Sequence, residues 1–448
     1  MNVLPLFACF QLLLPQVSVR RLTLVAQAIL TMTGRISMLG ISRWSEKGGS
    51  YRTIQRFFAE RLPWAEMLTE FFRTHLCNPN HEYILGGDAT TVTKSGSKTA
   101  GIGRFFSSIV GKTVNGLEFF VFSLIEVEER KSYPLAVTQT IRSAAEKEAI
   151  KTRKKKSKKT TKKKKEKLRG RPTGVLNKDK RQLDLSPELL RINELLKLIL
   201  KLVRVFVKVK YVVLDGHFGH NQAVLMAQEA GLELVSKLRK DAAIFEEFAG
   251  EYSGKGRKTK YGERINYQRL PPKYLKKTEK DNEIITNYWN ARCLSKSFGC
   301  RLNVVIIEKI NLKREKIGHA ILFSSDLELN FEKLMEYYGL RFQIEFNFRD
   351  AKQHFGLEDF MTRTELGVEN AANMSFLMVN LSAKLLKERA ANGVGINDLK
   401  SQFRGVKYAL ETIKLIEPKA EMILIEKVTE IISRIGSIHR HNFSISSA

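Results

Sequence analysis

Along the first 78 residues the apolar positions recur every three or four residues, the period of helices with one buried face. VRRLTLVAQAIL shows it first, a turn follows near Gly34, and Gly48-Gly49 closes a second short helix. Ser50 is placed to cap a third, YRTIQRFFAERL. That helix buries Ile54, Phe57, Phe58 and Leu62 and turns Tyr51, Arg52, Gln55 and Arg56 outward. Two readings stand side by side: a helix-turn-helix element whose Arg52 and Arg56 meet DNA in the major groove, and a plain helical bundle with a basic surface. The apolar opening LPLFACFQLLLPQV contains Gln and Pro and has no basic leader, so it reads as a first helix rather than a signal peptide.

From residue 79 the pattern changes to short β-rich runs. EYILGGD, GRFFSSIVGKTVNG and LEFFVFSLIEVEE predict three strands, the last two joined by an Asn115-Gly116 hairpin turn. LLRINELLKLILKLV predicts a helix, VKVKYVVLDG a strand, NQAVLMAQEAG a helix and LELVSKLR another strand. Three strands, helix, strand, helix, strand is the order of a ribonuclease-H-like α/β core, here spanning 79–368. INYQRL, NYWNARCL, LNVVIIEKI and HAILFSS add strands beyond the needs of such a core, which predicts a β-rich insertion at about 240–310. Residues 369–448 return to an amphipathic helical pattern.

Charge narrows the function. The formal net charge is +29, which predicts a polyanionic partner, with nucleic acid ahead of a membrane surface. No apolar run approaches the roughly 18 residues that would span a bilayer. Four scattered cysteines match no zinc spacing and fit a reducing compartment. Residues 145–182 carry KEAIKTRKKKSKKTTKKKKEKLRGRPTG, read as a disordered basic loop because like charges repel and nothing apolar can pack. Gly170-Arg171-Pro172, with Arg169 beside it, is like an AT-hook that enters narrow A·T minor grooves. A plain solvated tether is the other reading of that run.

The chemistry rests on three acids. Asp88 ends the first predicted strand and Asp215 the fourth; in a ribonuclease-H-like sheet those strands are neighbours. Tyr338, Arg341, Glu345 and Lys352 lie at steps of three, four and seven residues, on one stripe of a single predicted helix. Phe342, Ile344, Phe346 and Phe348 make that helix largely apolar, so a charged stripe on it is costly unless paired or used. Three carboxylates backed by Arg and Lys suit metal-assisted phosphodiester cleavage, since hard divalent cations prefer carboxylate oxygens. Each acid alone also reads as a turn former, helix cap or solvated side chain.

The spacing Tyr338, Arg341, Glu345, Lys352 resembles the Y-R-E-K signature of DDE transposases from bacterial insertion sequences. GGDATTVTKSG and VVLDGHFGHN are similar to that family's two aspartate motifs. The resemblance spans roughly residues 80–360. It implies that Asp88, Asp215 and Glu345 hold two Mg²⁺ or Mn²⁺ ions, and that Tyr338, Arg341 and Lys352 grip phosphates, with Arg341 also orienting Glu345. Lys94 and His217 are candidate phosphate or supporting contacts, and Trp289 a candidate platform for a flipped base. The implied activity is cut-and-paste transposition: binding terminal inverted repeats of double-stranded DNA, cleaving the ends and joining the 3′ ends to a target. A homodimer in the active complex and a bacterial cytoplasmic, nucleoid-associated location follow from the same resemblance. Another ribonuclease-H-like nuclease, or a transposase-derived DNA-binding protein without catalysis, are the alternatives.

Overall fold

The computed structural model describes residues 3–45, 48–107, 110–160, 179–251, 254, 259–388 and 393–413, with 429 and 432 besides. A 3₁₀ turn, Leu4–Phe10, precedes four helices: α1 (Gln16–Thr31), α2 (Met38–Trp44), α3 (Tyr51–Phe58) and α4 (Trp64–His75). The strands β1 (Tyr83–Thr93), β2 (Gly103–Ser107), β3 (Lys112–Glu126) and β4 (Lys131–Gln139) follow, then α5 (Ala144–Thr160) and α6 (Pro187–Val203). Next come β5 (Val209–Leu214), α7 (Asn221–Glu229) and β6 (Glu233–Leu238). The inserted strands are β7 (Ile244–Glu247), β8 (Tyr261–Arg264), β9 (Leu275–Asp281), β10 (Ile284–Ser295) and β11 (Arg301–Asn311), and β12 (Lys316–Ser324) returns to the core. Helices α8 (Phe331–Leu340), α9 (Gln343–His354), α10 (Glu365–Lys387) and α11 (Ile396–Ile413) complete the described chain.

All twelve strands join one mixed sheet, ordered β2-β3-β1-β5-β6-β12-β11-β10-β7-β8. β2 and β4 share the edge of β3 that faces away from β1, while β9 lies against β10. β1, β5 and β6 run parallel and are buried by helices on their faces, which explains their near-continuous apolar runs. The inserted strands pair antiparallel and extend the same sheet through β12.

The N-terminal helices share one hydrophobic core with the sheet and with α10 and α11. Asn370 on α10, fully buried, ties them together: it accepts from Trp64 Nε1 at 2.7 Å and donates to the carbonyls of Phe58 and Glu60. Asn380 on the same helix donates to Pro134 O at 2.8 Å. Leaving such buried amides unpaired would cost about 1–3 kcal/mol each. Among the described residues no helix is long and apolar enough to cross a membrane.

Several expectations need correction. Asn115 and Gly116 form no hairpin; they lie inside β3, paired with Arg104 and Gly103, and the pairing of β2 with β3 begins at Ser107 opposite Lys112. Gly116 is needed there because an added Cβ would fall 2.1 Å from Val92 O, and Asn115 donates to Lys94 O and Gly96 O. The basic segment is helical over Ala144–Thr160, since Ser143 and Glu146 form a reciprocal cap and Glu146 is held by Arg191. The remainder of that run, with Arg169 and Arg171, lies outside the described residues. Helix α3 stops at Phe58, short of Leu62, while burying Ile54, Phe57 and Phe58 as expected. The chain opens with a helix as expected, though a 3₁₀ helix over Leu4–Phe10 only, and INYQRL is not a strand. Strand β4 went unread, because Pro134 sits at a bulge opposite Phe122 and Ser123.

Candidate active site

Asp88 does not end its strand; it sits at the middle of β1, which continues to Thr93 along β3. It does sit where the parallel pairing with β5 stops, at Gly87 opposite Leu214. Asp215 is the first residue past β5. Neighbouring strands run about 4.8 Å apart, so this register sets Asp88 beside Asp215. The Asp215 carboxylate accepts from His217 N at 3.1 Å, its carbonyl accepts from Ser236 Oγ, and a 3₁₀ turn over Gly216–Phe218 follows.

Glu345 arrives from the helices across the sheet. The predicted single helix is two: α8 ends at Leu340, and tight i→i+3 bonds at Phe342, Ile344 and Glu345 carry the chain into α9. Gly86 lets α9 lie close on β1, since a Cβ there would meet Ile344 Cδ1 at 2.7 Å, while one on Gly87 would meet Leu214 and Phe122 of the neighbouring strands. Ile344 and Phe348 are buried, whereas Phe342 and Phe346 are exposed and packed edge to face, 5.3 Å between centroids.

Arg341 joins two of the acids: Nη1 contacts the Asp88 carboxylate and Nη2 reaches Glu345 Oε1 at 3.2 Å. Asp88, Asp215, Glu345, Arg341 and Lys352 all line one cavity of about 910 Å³. Burial pushes the Asp88 carboxyl up to about 6, the Asp215 and Glu345 charges push the same way, and Arg341 opposes them. A second, smaller cavity of about 440 Å³ holds Tyr338 and shares Asp215, His217 and Arg341 with the first.

The other candidates fall in different places. Lys352 is largely buried, donates to Thr91 O at 2.8 Å and lies 3.5 Å from Glu358. Burial lowers its pKa. Lys94 donates to the carbonyls of Glu358 and Phe360, rests on the Phe360 ring and lies outside the cavity lining. Burial lowers its pKa to about 8. Lys352 ties α9 to β1, and Lys94 ties the loop after β1 to the chain following α9. Arg52 and Arg56 are exposed on α3 and are not among the residues lining either cavity. Trp289 is half-buried in β10, with its indole Nε1 buried and unpaired, and lines neither cavity.

Sequence reasoning missed the opposite wall. Glu188, in the first turn of α6, meets His217 Nε2 at 3.2 Å, and that contact raises the imidazole pKa. Glu118, Arg142 and Arg191 line the same wall. The Ser186-Pro187-Glu188 helix start was the only local signal, and nothing in it points to Asp215. A further cluster, His81, Glu126 and Glu129, lies at the opposite end of β1. There His81 Nδ1 meets the buried Glu126 at 2.5 Å, and the Tyr83 and Tyr133 hydroxyls donate to the same carboxylate. Both oxygens of that carboxylate are therefore hydrogen-bonded.

The model of a family described as DDE superfamily endonuclease matches residues 5–292, well over half the chain and including both aspartates. The chain belongs to this family. No curated protein matches the sequence. Among solved structures, this endonuclease is similar to the piggyBac transposase in its synaptic complex with hairpin DNA. The TM-score is 0.37 at 10% identity, covering 94% of this chain and 76% of that one. A likeness that distant bears on neither the fold nor the chemistry. Endonucleases of this superfamily use divalent metal ions. The donor set of this endonuclease fits such ions: three hard carboxylates, one of them desolvated and raised by its neighbours, with Arg341 the cation that joins two of them.

Proposed function

We propose that this endonuclease is a cut-and-paste DNA transposase of the Y-R-E-K group. The reading rests on one observation: Asp88, Asp215 and Glu345, from β1, the end of β5 and α9, line one cavity with Arg341 between two of them. The strand sequence β4-β3-β1-β5-β6, with β1 and β5 parallel, supports a ribonuclease-H-like core carrying the β7–β11 insertion.

Asp88, Asp215 and Glu345 would hold two Mg²⁺ or Mn²⁺ ions. Bound there, the ions supply an activated oxygen nucleophile and stabilise the leaving 3′ oxygen. The chain's own residues do the rest. Arg341 holds Asp88 and Glu345 through its two terminal nitrogens and so orients both acids, and its guanidinium lies where the two cavities meet. His217, fixed by Glu188, stands next to Asp215 at the junction. Lys352 lines the cavity with its ammonium bonded to Thr91 O, while Lys94 braces the loop after β1 outside it.

Double-stranded DNA is the partner in this reading, with two protomers pairing two ends. The deciding experiment incubates the purified protein with Mg²⁺, a duplex bearing the DNA that flanks its gene, and a supercoiled plasmid. Cleavage followed by joining of the 3′ end to the plasmid is the expected outcome. Cleavage without joining would leave a nuclease, which the family description also accommodates.

A further inference from the structure

The two cavities differ in charge. The large one sets six carboxylates, Glu118, Glu188 and Glu358 besides the three candidate ligands, against five Arg and Lys side chains. The small one has a single acid, Asp215, against Lys237, Arg239, Lys240 and Arg341. Its wall is built rather than incidental. The end of β6 is pressed against the turn that carries Asp215, because an added Cβ on Gly219 would fall 2.1 Å from Lys237 O. Across from it, His319 of β12 bonds the Lys240 carbonyl at 2.8 Å and stacks on Tyr267, 4.8 Å between centroids. Lys237 is half-buried; Arg239, beside Asp241, and Lys240 are exposed. The two cavities meet at Asp215, His217 and Arg341.

We propose that this second groove holds the receiving DNA strand, while the large cavity holds the strand that is cut. The inference rests on the transposase reading above. Strand joining brings two DNA strands to one set of carboxylates, and a cationic groove opening onto Asp215 supplies a separate backbone track for the second. In that step the 3′-hydroxyl oxygen attacks the target phosphorus and a new P–O bond forms. The target's own P–O3′ bond breaks. The attacking hydroxyl gives its proton to water, and the departing 3′ oxygen takes one from water.

The test uses the full chain with Mn²⁺ and two readouts: cleavage of a labelled duplex, and joining of the same duplex, already cut, to a supercoiled plasmid. The double variant Arg239→Ala with Lys240→Ala is expected to join at less than about a tenth of the normal rate while cleaving within about twofold. The pair Arg239→Lys with Lys240→Arg, which keeps the charge, should restore joining. Cleavage falling in parallel with joining would place the cut strand in this groove and overturn the inference, and so would joining that does not change. Cleavage without any joining by the unaltered protein would overturn the transposase reading, and this inference with it.

Discussion

One sheet runs through this molecule, but its two halves obey different constraints. In the half built from β1, β3, β5 and β6, strands are covered on both faces, and the glycines at 86, 87 and 116 exist because side chains or backbone come too close for a Cβ. In the half formed by the insertion and β12, β9 is exposed along its whole length and Ile317 at the tip of β12 is 66% exposed. A Cβ on Gly318 would meet nothing within 4 Å. The lesson is that the candidate acids lie in the covered half, where burial acts on Asp88. There burial lifts an aspartate toward neutral pH, and the break between α8 and α9 at Arg341-Phe342 sets where Glu345 lands.

That contrast is broken most severely at the carboxylates. Glu345→Ala should lower metal-dependent DNA cleavage by about a thousandfold while DNA affinity changes less than about twofold, measured by plasmid nicking and gel shift. Ile317→Thr at the exposed tip of β12 should leave nicking unchanged. Retained cutting by the Glu345 variant would remove that residue from the site.

The packing difference has its own test. Gly116→Ala should destabilise the fold by about 2–3 kcal/mol, because the intruding Cβ meets backbone that has no freedom to move. Gly318→Ala should cost less than about 0.5 kcal/mol. Urea midpoints of the two variants compare them directly, and equal costs would mean that the halves are packed alike.

Next is pH. The Asp88 carboxyl keeps its proton up to about 6, against an ordinary 3.8. Its contribution to the stability of the metal-free fold is therefore full below pH 3.8 and is lost as pH rises through 6. A divalent ion must displace that proton, so apparent Mn²⁺ affinity should weaken about tenfold per pH unit below 6. Calorimetric titration at pH 5 and 7 reads the effect, and Arg301 with its partner Glu247 in the insertion should not influence it. The smallest effect concerns the basic run. Deleting residues 150–168 should reduce the log–log salt slope of non-specific DNA binding by about 2 or more, with cleavage chemistry intact. Fluorescence anisotropy over a salt series checks this, and an unchanged slope would make the run a tether.

The strands that read most clearly are those buried on both faces, because an uninterrupted apolar run leaves few alternatives: EYILGG, KYVVL and LELVSKL all became strands. β4 escaped because Pro134 is a poor strand residue unless a bulge absorbs it, and a bulge is a property of the pair, not of one strand. Asn115-Gly116 misled for the opposite reason. A hairpin signal in sequence was used instead for close approach to β1 and for hydrogen bonds to the loop after it. The lysine run was read from repulsion alone, while its first part is held helical by Ser143, Glu146 and a distant Arg191.

By itself the sequence determined the period of each segment, the excess of positive charge and the presence of Asp88, Asp215 and Glu345 in recognisable surroundings. These are local properties, written in consecutive residues. Only the tertiary structure decided that Gly87 stands opposite Leu214, that Arg341 bridges two acids, that Lys352 turns inward to Thr91, and that two grooves of unlike charge meet at Asp215. Each of those depends on register and on how near two surfaces approach, and both are settled by packing between residues far apart in the chain.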